Sequence, residues 1–298
     1  MLAGLVAANH LIGQGFSVQI LEANDRVGGR ILDSQSAHGH IFSMGATWLG
    51  PDEEKVPALM AELSLETEPQ YEAGNIIVRI HGQQWASANN EDIRIGPYPL
   101  PADGIPDDFL HAIQTLNTLC QEISPEMPYA HPQASKWDAM TAEDWWRQCG
   151  KSDVGKTMLR MIVEGLTFTE LEQLSFLYLL YLWRSLVSLI VDDRRIKGGP
   201  QQIVHWLAGQ LEDRIHLQAP VQAIHQGDGG VEVHTDGGTF EGKYAIVAIP
   251  PHLCAQIDYQ PLLPEARTQL TGQMQMGKVI KVLAVYETPF GGRRGYQG

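Results

Sequence analysis

The sequence predicts an α/β fold: a Rossmann-like nucleotide-binding domain interrupted by an inserted α+β domain. Three observations carry this. An apolar helix within residues 1–15, closed by glycines, leads to a short apolar strand with Val18, Ile20 and Leu21, and Glu22 stands at the strand's carboxyl end before a Gly-Gly-Arg turn. Residues 74–95 alternate apolar and polar around a Gly-Gln turn, the pattern of an antiparallel sheet. From Lys197 a glycine pair, a helix and several strands lead to the continuous apolar run 244–249, which suits a central parallel strand covered on both faces.

Each part of the first unit has a physical reason. An acidic side chain at the end of a parallel strand accepts hydrogen bonds from both hydroxyls of an adenosine ribose, and Glu22 is placed for that task. Gly28 and Gly29 lack a Cβ, so the backbone there turns sharply and lies close to a diphosphate. Arg30 adds a planar fork of donors for phosphate oxygens. Gly4 lies eighteen residues before Glu22, near the separation of about 20 expected of the last glycine in a Gly-x-Gly-x-x-Gly turn. The first strand and the first two glycines of that turn are absent. The sequence therefore reads as starting inside a domain, with Met1 an internal or misassigned start.

The stretch LAGLVAANHLIGQGFSVQILEANDRVGGRI resembles the amino-terminal nucleotide-binding signature of the flavin-containing amine oxidases. Carotenoid desaturases, protoporphyrinogen oxidases and L-amino-acid oxidases share that signature. The resemblance implies an FAD-binding Rossmann-like domain of the GR2 type with an inserted α+β substrate domain, truncated at both ends. Residues 1–67 and 197–270 would form the discontinuous FAD-binding domain, and residues 68–196 and 271–298 an incomplete substrate domain. It also implies a cofactor role for Ala23 beside Glu22, and for Gly45, Ala46, Thr47 and Trp48, whose small residues would let main-chain amides approach the flavin ring. Val221, after Pro220, would present its backbone to the adenine, and Ala248 with the Ile-Pro-Pro end of its run would approach the cofactor. Asn24 departs from the arginine usual in the mammalian monoamine oxidases.

Composition excludes several classes. A formal charge of −14 argues against a nucleic-acid partner. Cys120, Cys149 and Cys254 are widely spaced and odd in number, giving no disulfide framework and suiting a reducing cytoplasm. No cationic leader with an apolar core is present. His38 and His40 have no third ligand nearby, so no metal is expected.

Along the rest of the chain, residues 41–43 predict a strand entering a tight loop, and Pro51 precedes a helix over 56–65. The proline-rich segment 95–108 predicts an exposed loop. Helices follow at 107–123 and 141–149, the second with Thr141 as N-cap and Asp144 three positions on. Residues 158–191 are the most apolar part of the chain, but Glu170, Glu172 and Gln173 precede the run and Arg184 divides it. They predict buried helices and no membrane span. Residues 200–211 predict a helix with Pro200 in its first turn. Strands over 215–226 and 230–242 follow, with hairpin turns at 227–230 and 236–238. Asp192 is near the end of the helical region, where it would face a substrate cavity, and carries no assigned role.

In MGKVIKVLAVYETPF, Val279, Lys281, Leu283 and Val285 share one face of a predicted strand. A lysine on that face points inward, where an ammonium is costly unless it has a task. The resemblance implies that Lys281 is the lysine held through water to the flavin N5, which makes it the candidate catalytic residue.

The implied chemistry is oxidation of an amine. A hydride leaves the carbon beside a neutral nitrogen for the flavin, the imine hydrolyses, and O2 is reduced to H2O2. The alternatives are a desaturase or protoporphyrinogen-type oxidase on the same scaffold, or a non-catalytic remnant. The chain stops after GGRRGYQG, before the family's final flavin-binding segment, so weak or no FAD binding is expected of it alone. Neither the particular amine nor the oligomeric state is legible.

Overall fold

A computed structural model describes residues 2–49, 54–69, 74–88, 93–95, 98–100, 104–188 and 194–288. The chain divides into two compact units. The first comprises Met1–Leu49, Glu54–Glu68 and Arg195–Met276, and the second Gly50–Glu53, Pro69–Arg194 and Gly277–Gly298. Asp192 lies outside the described residues.

In the first unit the apolar helix Leu2–Gly13 buries Leu5 and Ala8 against Ile203, Val204 and Leu207 of the helix Gln201–Gly209. Truncating a fully buried leucine such as Leu5 would cost about 2–5 kcal/mol. The first helix ends on Gly15, whose φ of +86° an L side chain rarely adopts. The chain then enters the strand Ile20–Leu21, which pairs in parallel with Ile215–His216. This strand is shorter than the sequence suggests, because Val18 packs against the core from outside the ladder.

The expected strand over 215–226 is two strands. The break falls at Gln218, at φ +53°, after which Val221–Gly227 begins a separate sheet. That sheet runs Gly238–Gly242, Gly230–Thr235, Val221–Gly227, Asp258–Gln260, with both glycine turns where the sequence places them and the last strand parallel to its neighbour. The sequence gives no sign of the short strand Asp258–Gln260.

The run Tyr244–Ile249 is not a strand. A central parallel strand needs a ladder on each side, and no described residue pairs with it. Tyr244 is 87% exposed and Ile246 64%.

The second unit is mostly helical. Asp107–Glu122, Ala142–Cys149, Asp153–Thr167 and Phe176–Ser188 enclose a core that includes Phe109, Leu116, Ile162, Leu180 and Trp183. The capping box is present: the Thr141 hydroxyl accepts from the Asp144 N–H at 3.0 Å and the Asp144 carboxylate from the Thr141 N–H at 3.3 Å. Trp183 donates its indole N–H to Asn117 Oδ1 at 2.8 Å. Arg184, which divides the apolar run, donates to the carbonyls of Cys120, Gln121 and Ile123 and so closes the carboxyl end of the helix Asp107–Glu122. Among the described residues no helix is long and apolar enough to cross a membrane.

The alternation in 74–95 folds as the hairpin Asn75–Ile80 with Gln83–Ala88. The proline-rich segment departs from expectation, because Tyr98–Leu100 pairs with Ile93–Ile95. Pro99 is tolerated in a two-stranded ribbon, whose outer edge needs no N–H.

Candidate functional site

Glu22 continues the parallel ladder. Its N–H donates to the His216 carbonyl at 2.9 Å, and its own carbonyl accepts from the Ala219 N–H at 2.9 Å. The acidic residue therefore stands beside the segment that leads through Pro220 into Val221, so two candidate residues far apart in sequence share one strand end. The Asn24 N–H and side-chain amide both donate to Glu22 Oε1, at 3.0 and 2.5 Å.

The glycine turn is built as its composition requires. Gly28 has φ +108°, and a Cβ there would lie 2.6 Å from the Ile31 carbonyl oxygen; Gly29 has φ +58°. Arg26 ties the turn internally, donating to the carbonyls of Val27 at 3.2 Å and Gly29 at 2.9 Å. The sequence signal for this arginine is its place in DRVGGR, two residues before the glycines. Arg30 is exposed, with its guanidinium on the surface and its backbone engaged: the Ala46 N–H donates to the Arg30 carbonyl at 3.2 Å.

That contact brings the second candidate loop to the first. A Cβ on Gly45 would lie 2.0 Å from the Arg30 carbonyl oxygen, so only glycine allows this approach. Thr47 is half-buried and donates its hydroxyl to the Gly45 carbonyl at 3.1 Å, while Trp48 is 55% exposed. Gly4 and Ala248 also meet, since a Cβ on Gly4 would stand 3.4 Å from that of Ala248. Ala23 is exposed beside Glu22.

A further junction joins the turn region to the helix Gln201–Gly209. Asp33 Oδ2 accepts from the Gln201 N–H at 2.9 Å, and Gln201 Oε1 accepts from the Asp33 N–H at 2.7 Å. Gly199, at φ +89°, makes room, because a Cβ there would lie 2.1 Å from Asp33 Oδ2. The other carboxylate oxygen of Asp33 is buried with no hydrogen-bond partner among the described residues. No local sequence pattern marks Asp33 or Gln201 as partners.

Lys281 belongs to the second unit, and its surroundings differ from the expected strand. Residues 274–286 have no regular secondary structure. Val279 is 61% exposed and Val285 58%, so the apolar face meant to carry Lys281 inward is on the surface. Alternation alone does not make a strand, and no ladder partner lies beside this segment among the described residues. Lys281 is nonetheless half-buried. The segment is anchored just upstream, where the Lys278 N–H donates to the Phe168 carbonyl at 3.1 Å and Gly277 packs against the end of the helix Asp153–Thr167.

The second unit also buries a charge cluster. Glu143 is 2% exposed and accepts from Lys156 Nζ at 2.6 Å and Arg147 Nε at 3.0 Å, with Arg160 at 3.8 Å. Burial pushes its carboxyl up, but the hydrogen bonds and charges of Lys156 and Arg147 outweigh that and hold it below the ordinary glutamate value.

A parallel strand ending in an acidic residue, a glycine turn and a helix whose third residue is glycine are the parts of a Rossmann-like fold of the dinucleotide-binding class. The profile of the flavin containing amine oxidoreductases matches residues 2–297, and the chain belongs to that family. It is 31% identical to a probable flavin-containing monoamine oxidase A of Dictyostelium discoideum over 99% of its length and 65% of that protein. It is 33% identical to a putrescine oxidase of Kocuria rosea, again over 99% of the chain and 65% of the relative. A solved structure of wild-type putrescine oxidase bound to putrescine superposes with a TM-score of 0.86 at 28% identity, covering 99% of this chain and 66% of that one. The chain thus spans about 65% of the curated relatives' length.

Proposed function

We propose that this chain carries the nucleotide-binding part and some of the substrate domain of an FAD-dependent amine oxidase. The observation that carries this is the placement of Glu22 at the end of a parallel strand, beside the Ala219–Val221 segment and before the positive-φ glycine turn. FAD suits the residues present. Glu22 would accept from the ribose hydroxyls, Val221 would offer main-chain groups to the adenine, and Gly28, Gly29 and Arg30 would face the diphosphate. Gly4 would open a helix start to the phosphates, with Ala248 beside it and Ala23 next to the ribose. Gly45, Ala46, Thr47 and Trp48 would form the main-chain surface for the ring. Gly45 and Gly28 let these loops close on neighbouring backbone, since a Cβ at either would strike the Arg30 or Ile31 carbonyl oxygen.

When bound, the flavin supplies the electron sink for a hydride leaving the carbon beside an amine nitrogen. Lys281 would orient a water that serves reoxidation of the flavin or hydrolysis of the imine. The substrate is a small-molecule amine in its neutral form, O2 is the acceptor, and aldehyde or ketone with H2O2 are the products. The first unit serves as the cofactor domain and the second as the substrate domain. Cys120, Cys149 and Cys254 are free thiols, which supports a cytoplasmic setting.

The test is an amine panel assayed for peroxide in the presence of FAD, with Lys281→Met as control. Amine-dependent peroxide that falls at least about tenfold in the variant is expected. FAD binding without turnover of any amine in the panel would sink the oxidase assignment.

A further inference from the structure

The hairpin of Val221–Gly227 and Gly230–Thr235 carries a cluster that the nucleotide-binding reading does not use. His225 is the direct cross-strand partner of Glu232, and His234 lies two residues beyond Glu232, so the pleat puts all three on one face. Their ligand atoms come within 4.8 Å of one another. His225 Nδ1 is 3.1 Å from His234 Nε2, and Glu232 Oε2 is 3.5 Å from the same nitrogen. His234 is also the register partner of Thr239 on the next strand, and its Nδ1 is 3.0 Å from the Thr239 hydroxyl.

We propose that His225, Glu232 and His234 form a binding site for a divalent transition-metal cation of the Zn2+ class. Two imidazoles and a carboxylate are a donor set that Zn2+ takes readily. At metal–ligand distances of about 2.0–2.1 Å, a tetrahedral ion holds its ligand atoms about 3.3–3.4 Å apart. Two of the three separations already bracket that spacing, at 3.1 and 3.5 Å. The third requires only a swing of the Glu232 side chain, which is 56% exposed.

Thr239 completes the arrangement. With Nδ1–H of His234 donated to the Thr239 hydroxyl, the Nε2 lone pair faces the other two ligands. Exposure of the cluster leaves the fourth position to water. The ion would clip the two hairpin strands together four residues beyond Val221.

The experiment is Zn2+ competition against a chromophoric chelator, with Co2+ as a spectroscopic probe, on the full chain. One Zn2+ per chain is expected, with visible Co2+ bands of a low-coordinate complex. His225→Ala or His234→Ala should weaken binding at least about tenfold, and Thr239→Val by a smaller factor, as loss of a supporting partner does. Diethylpyrocarbonate labelling of the unmutated chain covers the case of a misfolded variant, because Zn2+ should protect His225 and His234 in particular. Absence of stoichiometric binding, equal affinity in the His225→Ala/His234→Ala double variant, or labelling unchanged by Zn2+ would each overturn the site.

Discussion

Gly45 sits so close to Arg30 that a methyl group on its α-carbon would reach within 2.0 Å of the Arg30 carbonyl oxygen. The atom it would meet is backbone and does not rotate away. Gly45→Ala is therefore expected to destabilise the first unit by about 3 kcal/mol. A fall of about 5–10 °C in thermal midpoint should follow, and an unchanged midpoint would show that the two loops are not in contact.

Glu22 already holds Asn24 through one oxygen and would hold a ribose through its carboxylate. Glu22→Gln should lower FAD or ADP-ribose affinity about tenfold or more, the worth of a hydrogen bond to a charged group. Flavin fluorescence titration reads this directly. Equal affinity in the variant would remove the residue from the site.

Retention of the cofactor by this chain alone should be weak. The run 244–249, read as a strand approaching the cofactor, is exposed and unpaired among the described residues. Gel filtration after loading with FAD is expected to strip the yellow colour. A stoichiometric flavin surviving the column would contradict this.

Glu143 ties acid stability to one buried carboxylate. Its folded pKa is depressed, so its contribution is complete above the unfolded value, about 4.3, and disappears as pH falls through the lower folded value. Glu143→Gln should cost about 1–2 kcal/mol at neutral pH, because it removes the carboxylate charge that Lys156 and Arg147, themselves partly exposed, donate to. The gap between the two proteins in denaturant unfolding should narrow as pH is lowered below about 4. A gap independent of pH would mean that packing, not charge, holds the site.

Asp108 gives a second acid-sensitive joint. Burial raises its pKa, but the N–H groups of Lys151, Ser152 and Phe109 and the Ser152 hydroxyl lower it further than burial raises it. Asp108→Asn should cost about 1–2 kcal/mol above the ordinary aspartate range and nothing once the wild-type carboxylate is protonated. Urea midpoints at pH 7 and pH 2.5 would decide it.

Much of this architecture was readable because it rests on local chemistry. Glycines needing positive φ at 28 and 29, the Thr141 capping box and the two hairpin turns each announce themselves within a few residues. What escaped depends on partners distant in sequence. The run 244–249 has the composition of a buried strand, but composition does not supply a neighbouring ladder. The alternation around Lys281 likewise specifies two faces without saying that either is covered. Asp33 escapes a sequence reading because its bonds run to a helix start 168 positions away that no pattern reveals, whereas Arg26 is signalled only by its place in DRVGGR.

The reciprocal bonds between Asp33 and Gln201 span 168 positions of chain. A ribosome makes the first half of that junction long before the second. Throughout that interval Leu5 and Ala8 have no covering helix, because Ile203, Val204 and Leu207 do not yet exist. The second unit is nearly finished by the time the first is closed, which makes the nascent amino-terminal segment the natural client for a chaperone.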